Sequence, residues 1–226
     1  MIKYLTYLNS GCKSICDNML VSAQKVGIQK EQFIIVAFDK PIYDYYIDKG
    51  FQVELFQDIP EDVYHNWTWD KNSKFQALVK NKWTLIKKYF ITDKPLVWLD
   101  TDIVFLKNPE EYLLSLMKPT FQIDYPVECA CTGLMYFPDC ETSAEIINTL
   151  GSQNTEDDQI VCNNLLKNNM LQNKVSYFNL NYFPNGGYFY DAKGTTIEQC
   201  IMLHCNYIIG LENKINRLKE SGVWYI

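Results

Sequence analysis

The chain has 226 residues, 47% hydrophobic and 21% charged, which suits one well-buried domain or two small ones and excludes a disordered tail. Its net charge of −6 argues against nucleic acid as a partner, because a phosphate backbone calls for a basic face. No apolar run approaches the ~20 residues of a membrane span, and residues 1–10 carry no basic start or small-residue cleavage site, so neither a span nor a signal peptide is expected.

Residues 2–8 are predicted as a short strand turning at Asn9-Ser10-Gly11. A helix is predicted over 13–25, where Ile15, Met19, Leu20 and Ala23 recur near helical spacing. The apolar run 33–38 ends in Asp39-Lys40-Pro41, the pattern of a buried parallel strand with a loop at its carboxyl end. A helix over 43–49 and a strand near 53–56 complete an α/β opening. Residues 57–73 are polar around Trp67 and Trp69, which read either as a sugar-stacking lid or as one face of a short strand. In the longest helical pattern Phe75, Leu78, Val79, Leu85, Ile86 and Tyr89 share a face that also holds Lys82. Pro95 then introduces Leu96-Val97-Trp98-Leu99, a buried strand closing on Asp100-Thr101-Asp102. Strands are predicted at 120–123 and 130–137, helices at 141–150 and 156–167, and extended pieces at 175–178 and 188–190. A strand at 201–204 and a helix from Leu211 end the chain. With no repeat and no linker, 1–226 reads as a single domain whose two halves divide near residue 105.

The paired carboxylates of Asp100 and Asp102 are the strongest local signal. In extended backbone, residues two apart point the same way, so both are expected to leave the carboxyl edge of the sheet, where open α/β sheets bind ligands. Two such groups repel unless a cation lies between them, and oxygen donors suit Mg²⁺ or Mn²⁺. The competing reading is an ordinary strand-to-turn boundary. Lys82 lies on an apolar stripe, where an unpaired ammonium is costly to bury; it either snorkels to the surface or meets a carboxylate or phosphate. His204 ends another predicted strand, as a structural histidine or as the neutral third ligand of an Asp100–Asp102 metal shell. Gly210 permits close backbone approach, and Lys214 adds a charge for phosphate in the first turn of the last helix. Asp157, Asp158 and Gln159 open a helix, and Thr155 with Asp158 makes a capping box that alone accounts for them. The eight cysteines form no CxxC pair, and with only two histidines no four-ligand zinc pattern emerges, so they read as reduced, packed thiols.

Several segments occur in a telling order: FQALVKNKWTLIKKYF with Lys82, PLVWLDTDIVFLKNP, FQIDYP with Asp124, and CTGLMYF with Thr132-Gly133. DDQ at Asp157 to Gln159, FPNGGYF, and HCNYIIGLENKINRL leading to Gly222-Val223-Trp224 complete the set. Together they resemble the nucleotide-diphospho-sugar transferase family that includes plant cell-wall xylosyl-, galactosyl- and arabinosyltransferases. The resemblance implies a GT-A-type α/β fold and a glycosyltransferase that moves a sugar from a UDP-sugar to a hydroxyl of a glycan or other acceptor, with retention of configuration. It implies Mn²⁺ or Mg²⁺ held by Asp100, Asp102 and His204, with Thr101, Gly210 and Lys214 at the diphosphate. Thr6, Tyr7, Asn9 and Asp39 would line the nucleoside pocket. Asp124, Asp158 and Gln159 would border the transferred sugar, with Lys82 between the donor and the acid pair. The first half becomes the donor side. The second becomes the acceptor side and ends in the metal- and diphosphate-binding segment.

One departure is Cys131, where many relatives have Asn two residues before the glycine matching Gly133. Another is the missing anchor and stem of Golgi members, from which a cytoplasmic or otherwise soluble intracellular setting is expected. Two alternatives stand beside this reading: a catalytically inactive nucleotide-sugar-binding module, and a haloacid-dehalogenase-type phosphatase, whose D-x-D-x-[TV] motif Asp100 to Val104 also fits. That phosphatase motif normally ends the first core strand, whereas three strands are predicted before Asp100.

Overall fold

Apolar strands alternating with amphipathic helices leave one economical arrangement, a sheet covered on both faces. The computed structural model describes residues 1–56, 81–90, 94–152, 158–168, 171 and 173–226. Its first elements are β1 (Lys3–Leu8), α1 (Lys13–Lys25), β2 (Phe33–Ala37), α2 (Lys40–Asp48) and β3 (Gln52–Leu55). Next come α3 (Lys82–Tyr89), β4 (Leu96–Leu99), β5 (Ile103–Phe105), α4 (Glu110–Leu114), β6 (Thr120–Asp124) and β7 (Cys129–Phe137). The chain ends with α5 (Glu141–Gly151), α6 (Asp158–Lys167), β8 (Ser176–Tyr177), β9 (Met202–His204) and α7 (Leu211–Glu220).

Seven strands form one sheet in the order β3-β2-β1-β4-β7-β6-β8, and β7 runs against both its neighbours. Side chains alternate between two cores. On β1, Tyr4 and Leu8 join Ile15, Met19 and Leu20 of α1, while Leu5 faces Trp83, Leu85 and Ile86 of α3. β4 divides likewise, with Val97 and Leu99 on the first side and Leu96 and Trp98 on the second. Each such side chain contributes about 1.5–3 kcal/mol of burial, so a one-residue slip of either strand is strongly disfavoured. The order places β2 on one side of β1 and β4 on the other. The connections therefore part between β1 and β4, where open sheets leave a crevice at their carboxyl ends.

Two departures from regular pairing shape that edge. Phe121 pairs with Met135 but Gln122 with Cys131, so Thr132, Gly133 and Leu134 of β7 have no partner on β6, and the Thr132 and Gly133 carbonyls are available to the site. The second is a small antiparallel sheet in which β5 pairs with β9, setting Ile103 opposite His204.

Several expectations need correction. Residues 188–190 are not extended but part of a π-helical turn, Gly187–Asp191, started by the Asn185 side-chain oxygen accepting from Tyr188 N at 3.0 Å. The second helix begins at Lys40 rather than residue 43, because Asp39 caps it by accepting from Ile42 N. β5 and α4 were not predicted, three and five residues being too short for a periodic signal. Asp102 does not continue an extended strand: Thr101 and Asp102 form a turn between β4 and β5. Phe75, Leu78 and Val79, with Trp67, Trp69, Thr155 and Asp157, lie outside the described residues. All eight cysteines are free thiols, six of them buried. Among the described residues no helix is long and apolar enough to cross a membrane.

Candidate active site

The carboxyl edge gathers four groups of residues. At its centre the β4–β5 turn carries Asp100 and Asp102, and the β5–β9 pairing brings His204 beside them. Ligand atoms of the three lie within 4.8 Å of one another, and His204 Nε2 is 3.2 Å from Asp102 Oδ1. Backbone bonds pin the corner: Asp100 N donates to Gly133 O at 2.8 Å, and Cys205 N to Asp102 O at 2.9 Å. Gly133 is required there, since a Cβ would stand 2.3 Å from His204 Cε1 and 2.8 Å from Asp100 Oδ2. Two carboxylate oxygens and an imidazole nitrogen are a donor set that fits Mn²⁺ or Mg²⁺, and the glycine leaves the space they need.

Electrostatics bind this corner tightly. Burial alone would raise the Asp102 pKa, but Lys214, whose Nζ pairs with Asp102 Oδ2, and His204 lower it well below the usual carboxylate range. Burial would lower that of His204, yet the Asp102 carboxylate raises it to about 10. A divalent cation bound there would take the place of that proton, since a ligating imidazole is neutral. Lys214 follows Gly210, whose φ of +89° is costly for any residue with a Cβ.

Lys82, the first residue of α3, is only 3% exposed and does not snorkel. Its ammonium lies 2.7 Å from Asp158 Oδ2 and 3.4 Å from Asp100 Oδ1, and donates to Thr132 O at 3.2 Å. Burial would lower its pKa, but Asp100 and Asp158 raise it well above the usual lysine value. Asp158 also accepts from the Thr132 hydroxyl at 2.6 Å, while the Thr155 half of the predicted capping box lies outside the described residues.

Across the bulge a further carboxylate, Asp124, has a different setting. Asp124 accepts from Gln159 Nε2 at 2.9 Å, Asn206 Nδ2 at 3.2 Å and Asn185 Nδ2 at 3.3 Å. Asn185 and Asn206 were missed in the sequence, although both lie inside the recognised segments FPNGGYF and HCNYIIGLENKINRL. Gln122, which bonds His204 Nδ1 at 2.6 Å, was missed too. A neutral amide carries no charge pattern that would single it out.

The predicted nucleoside residues surround the turns after β1 and β2. Thr6 and Tyr7 point to opposite faces of β1, as adjacent strand residues must, and the Tyr7 ring packs between Phe38 and Trp98 at 5.2 and 5.0 Å. Asp39 bridges the two turns, accepting from Ser10 N as well as Ile42 N. Thr6 Oγ1, Asn9 Nδ2 and Ser10 Oγ are buried without a hydrogen-bond partner among the described residues. Buried polar groups ordinarily find partners, so these orphans mark a place where a polar ligand fits.

Residues 29–218 match the family described as nucleotide-diphospho-sugar transferase. The chain belongs to that family. A curated relative, the UDP-galactose:fucoside alpha-3-galactosyltransferase of Dictyostelium discoideum, is 24% identical over 278 residues, covering 99% of this chain and 43% of its own length. The chain thus spans less than half of that relative. Among solved structures, the galactosyltransferase LgtC with donor and acceptor sugar analogs has a TM-score of 0.59 at 12% identity, covering 100% of this chain and 97% of that one. The glycosyltransferase GlyE of Streptococcus pneumoniae TIGR4 gives 0.57 at 12% identity, over 100% of this chain and 65% of that one. Mouse xyloside xylosyltransferase 1 gives 0.54 at 7% identity, over 93% and 100%. These likenesses show a GT-A fold, and membership of the nucleotide-diphospho-sugar transferases sets the phosphatase reading aside.

Proposed function

We propose that this nucleotide-diphospho-sugar transferase is a metal-dependent glycosyltransferase that moves a sugar from a UDP-sugar to a hydroxyl of a glycan or other acceptor, with retention of anomeric configuration. The observation that carries the reading is the convergence of Asp100, Asp102, His204, Lys214 and Lys82 at one end of the sheet, together with the orphaned polar atoms of Thr6, Asn9 and Ser10 at the end of β1. Asp100, Asp102 and His204 would hold Mn²⁺ or Mg²⁺, which when bound offsets charge on the departing diphosphate. Lys214, whose side chain is 15% exposed, would add a fixed positive charge on the diphosphate side, together with Thr101 and Gly210. Thr6, Tyr7, Asn9 and Asp39 would meet the nucleoside, Thr6 and Tyr7 from opposite faces of β1. The first half of the chain serves the donor; the second serves the acceptor and closes over the diphosphate.

Stereochemistry follows from which carboxylates are free. Inversion needs a general base opposite the leaving group. Asp100 and Asp102 belong to the metal corner, Asp158 is paired with Lys82, and Asp124 already accepts three amide hydrogen bonds. Gln159 is a poor nucleophile, so same-face attack fits best: the acceptor hydroxyl bonds to the anomeric carbon as the phosphate oxygen leaves and takes its proton. Asp158 and Gln159 then stabilise the oxocarbenium-like sugar, and holding the acceptor in place contributes as much as roughly 7–11 kcal/mol in favourable systems.

The Dictyostelium relative is named for UDP-galactose, which makes that donor the first to test. UDP-sugars are incubated with Mn²⁺ and simple glycoside acceptors, and the product anomer is read by NMR. An α-linked product from an α-linked donor is expected. A β-linked product would overturn retention, and UDP binding without any transfer or donor hydrolysis would leave a binding module.

A further inference from the structure

We infer that Gln122 is a positioning residue that decides which nitrogen of His204 faces the cation, an inference resting on the metal-site reading of Asp100, Asp102 and His204. Gln122 is fully buried on β6, at the register break opposite Cys131. Its side-chain nitrogen donates to Phe183 O at 3.1 Å and Pro184 O at 3.0 Å. Those carbonyls fix the amide's orientation. Reversed, the amide oxygen would face two carbonyl oxygens in the interior, and Phe183 O would lose its side-chain donor.

With the amide fixed, Gln122 Oε1 stands 2.6 Å from His204 Nδ1 and can only accept. Nδ1 must therefore carry a proton. A neutral imidazole has one N–H, so Nε2 keeps its lone pair, and Nε2 is the nitrogen 3.2 Å from Asp102. The Cys131 sulfur, 3.9 Å from Nδ1, is a much weaker acceptor. The same amide ties the imidazole to the segment beyond it. Pro184 O also accepts from His204 N at 3.1 Å, and the next residue, Asn185, holds Asp124. Gln122 thus joins the metal corner and the Asp124 corner through one side chain.

The test compares Mn²⁺ affinity in the presence of UDP, followed by electron paramagnetic resonance, for the wild type, Gln122→Met and Gln122→Glu, with circular dichroism checking the fold. The methionine variant keeps the volume and loses both hydrogen-bonding roles, and it is expected to bind Mn²⁺ about 10–100-fold more weakly. Glutamate, protonated on the oxygen that faces Phe183 O and Pro184 O, keeps a donor toward those carbonyls and an acceptor toward Nδ1, and is expected to recover most of that loss. A folded Gln122→Met with wild-type affinity overturns the inference, as does a glutamate variant as weak as methionine. Wild-type protein that binds no Mn²⁺ overturns the metal-site reading and this inference together, whereas wild-type binding with an unaffected methionine variant overturns this inference alone. Should Gln122→Met fail to fold, ¹⁵N-histidine NMR of the wild type with Mg²⁺ and UDP decides it, and only His65 and His204 contribute signals. A hydrogen-bonded proton on His204 Nδ1 is expected; a proton on Nε2 overturns the inference.

Discussion

Asp102 and Asp124 lie at the same edge of the sheet and are buried alike, at 6% and 7% exposure, yet their surroundings differ in kind. Asp102 is met by two groups able to carry positive charge, Lys214 and His204. Asp124 is met by three neutral amides from Gln159, Asn185 and Asn206. Cationic partners offset the carboxylate charge and keep it ionised, which suits a site that exchanges a proton for a divalent cation. Amides orient a carboxylate without neutralising it, which suits recognition of hydroxyl groups. The contrast sets a carboxylate held by cationic partners against one held by neutral amides.

Breaking the charged corner should have the largest effect. Asp102→Asn is expected to lower transfer by about 10³-fold, with Mn²⁺-dependent UDP binding lost by calorimetry and the fold retained. Unchanged metal-dependent binding would remove Asp102 from the metal corner.

Lys82→Met should cost both stability and transfer. Removing one partner of a buried ion pair costs about 3–5 kcal/mol, because Asp158 is left charged in the interior, and urea unfolding reads this directly. Adding Asp158→Asn should return most of the stability but not the transfer. A double variant with wild-type transfer would make Lys82 purely structural.

Gly133→Ala tests geometry without touching a charge. The added methyl overlaps His204 Cε1, so Mn²⁺ affinity should fall about 10–100-fold, as when a ligand loses its support. Wild-type affinity would show that the imidazole need not hold its position.

Asp124→Asn is expected to have the smallest effect. Facing an amide nitrogen toward donors that now lack an acceptor should cost about 1–3 kcal/mol, seen as a raised KM for the sugar substrates with the product anomer unchanged. A collapse of kcat with KM unchanged would instead make Asp124 a general base and remove the contrast.

Much of this was legible in the sequence. The strands ending at Leu8, Ala37 and Leu99 are short apolar runs bounded by Asn9, Asp39 and Asp100, and such runs declare themselves locally. The predicted helix over 13–25 matches α1, whose buried face follows the apolar spacing. The turn at 187–191 was misread because its geometry depends on the Asn185 side chain, not on any apolar period. β5 is invisible as a local pattern, since its role comes from pairing with a strand near the other end of the chain.

By itself the sequence determined the alternation of elements and the placing of Asp100 and Asp102 after a buried strand, because hydrophobic periodicity and turn chemistry act over a few neighbouring residues. Only the tertiary structure decided that His204 stands opposite Ile103, that Lys82 pairs with Asp158 and not with solvent, and that Asp124 is gripped by amides. These contacts join residues tens of positions apart, as with Gln122 and His204, 82 positions from one another. Strand register and the packing of two cores bring them together, and the burial that results makes an unpaired charge or amide too costly to leave without a partner.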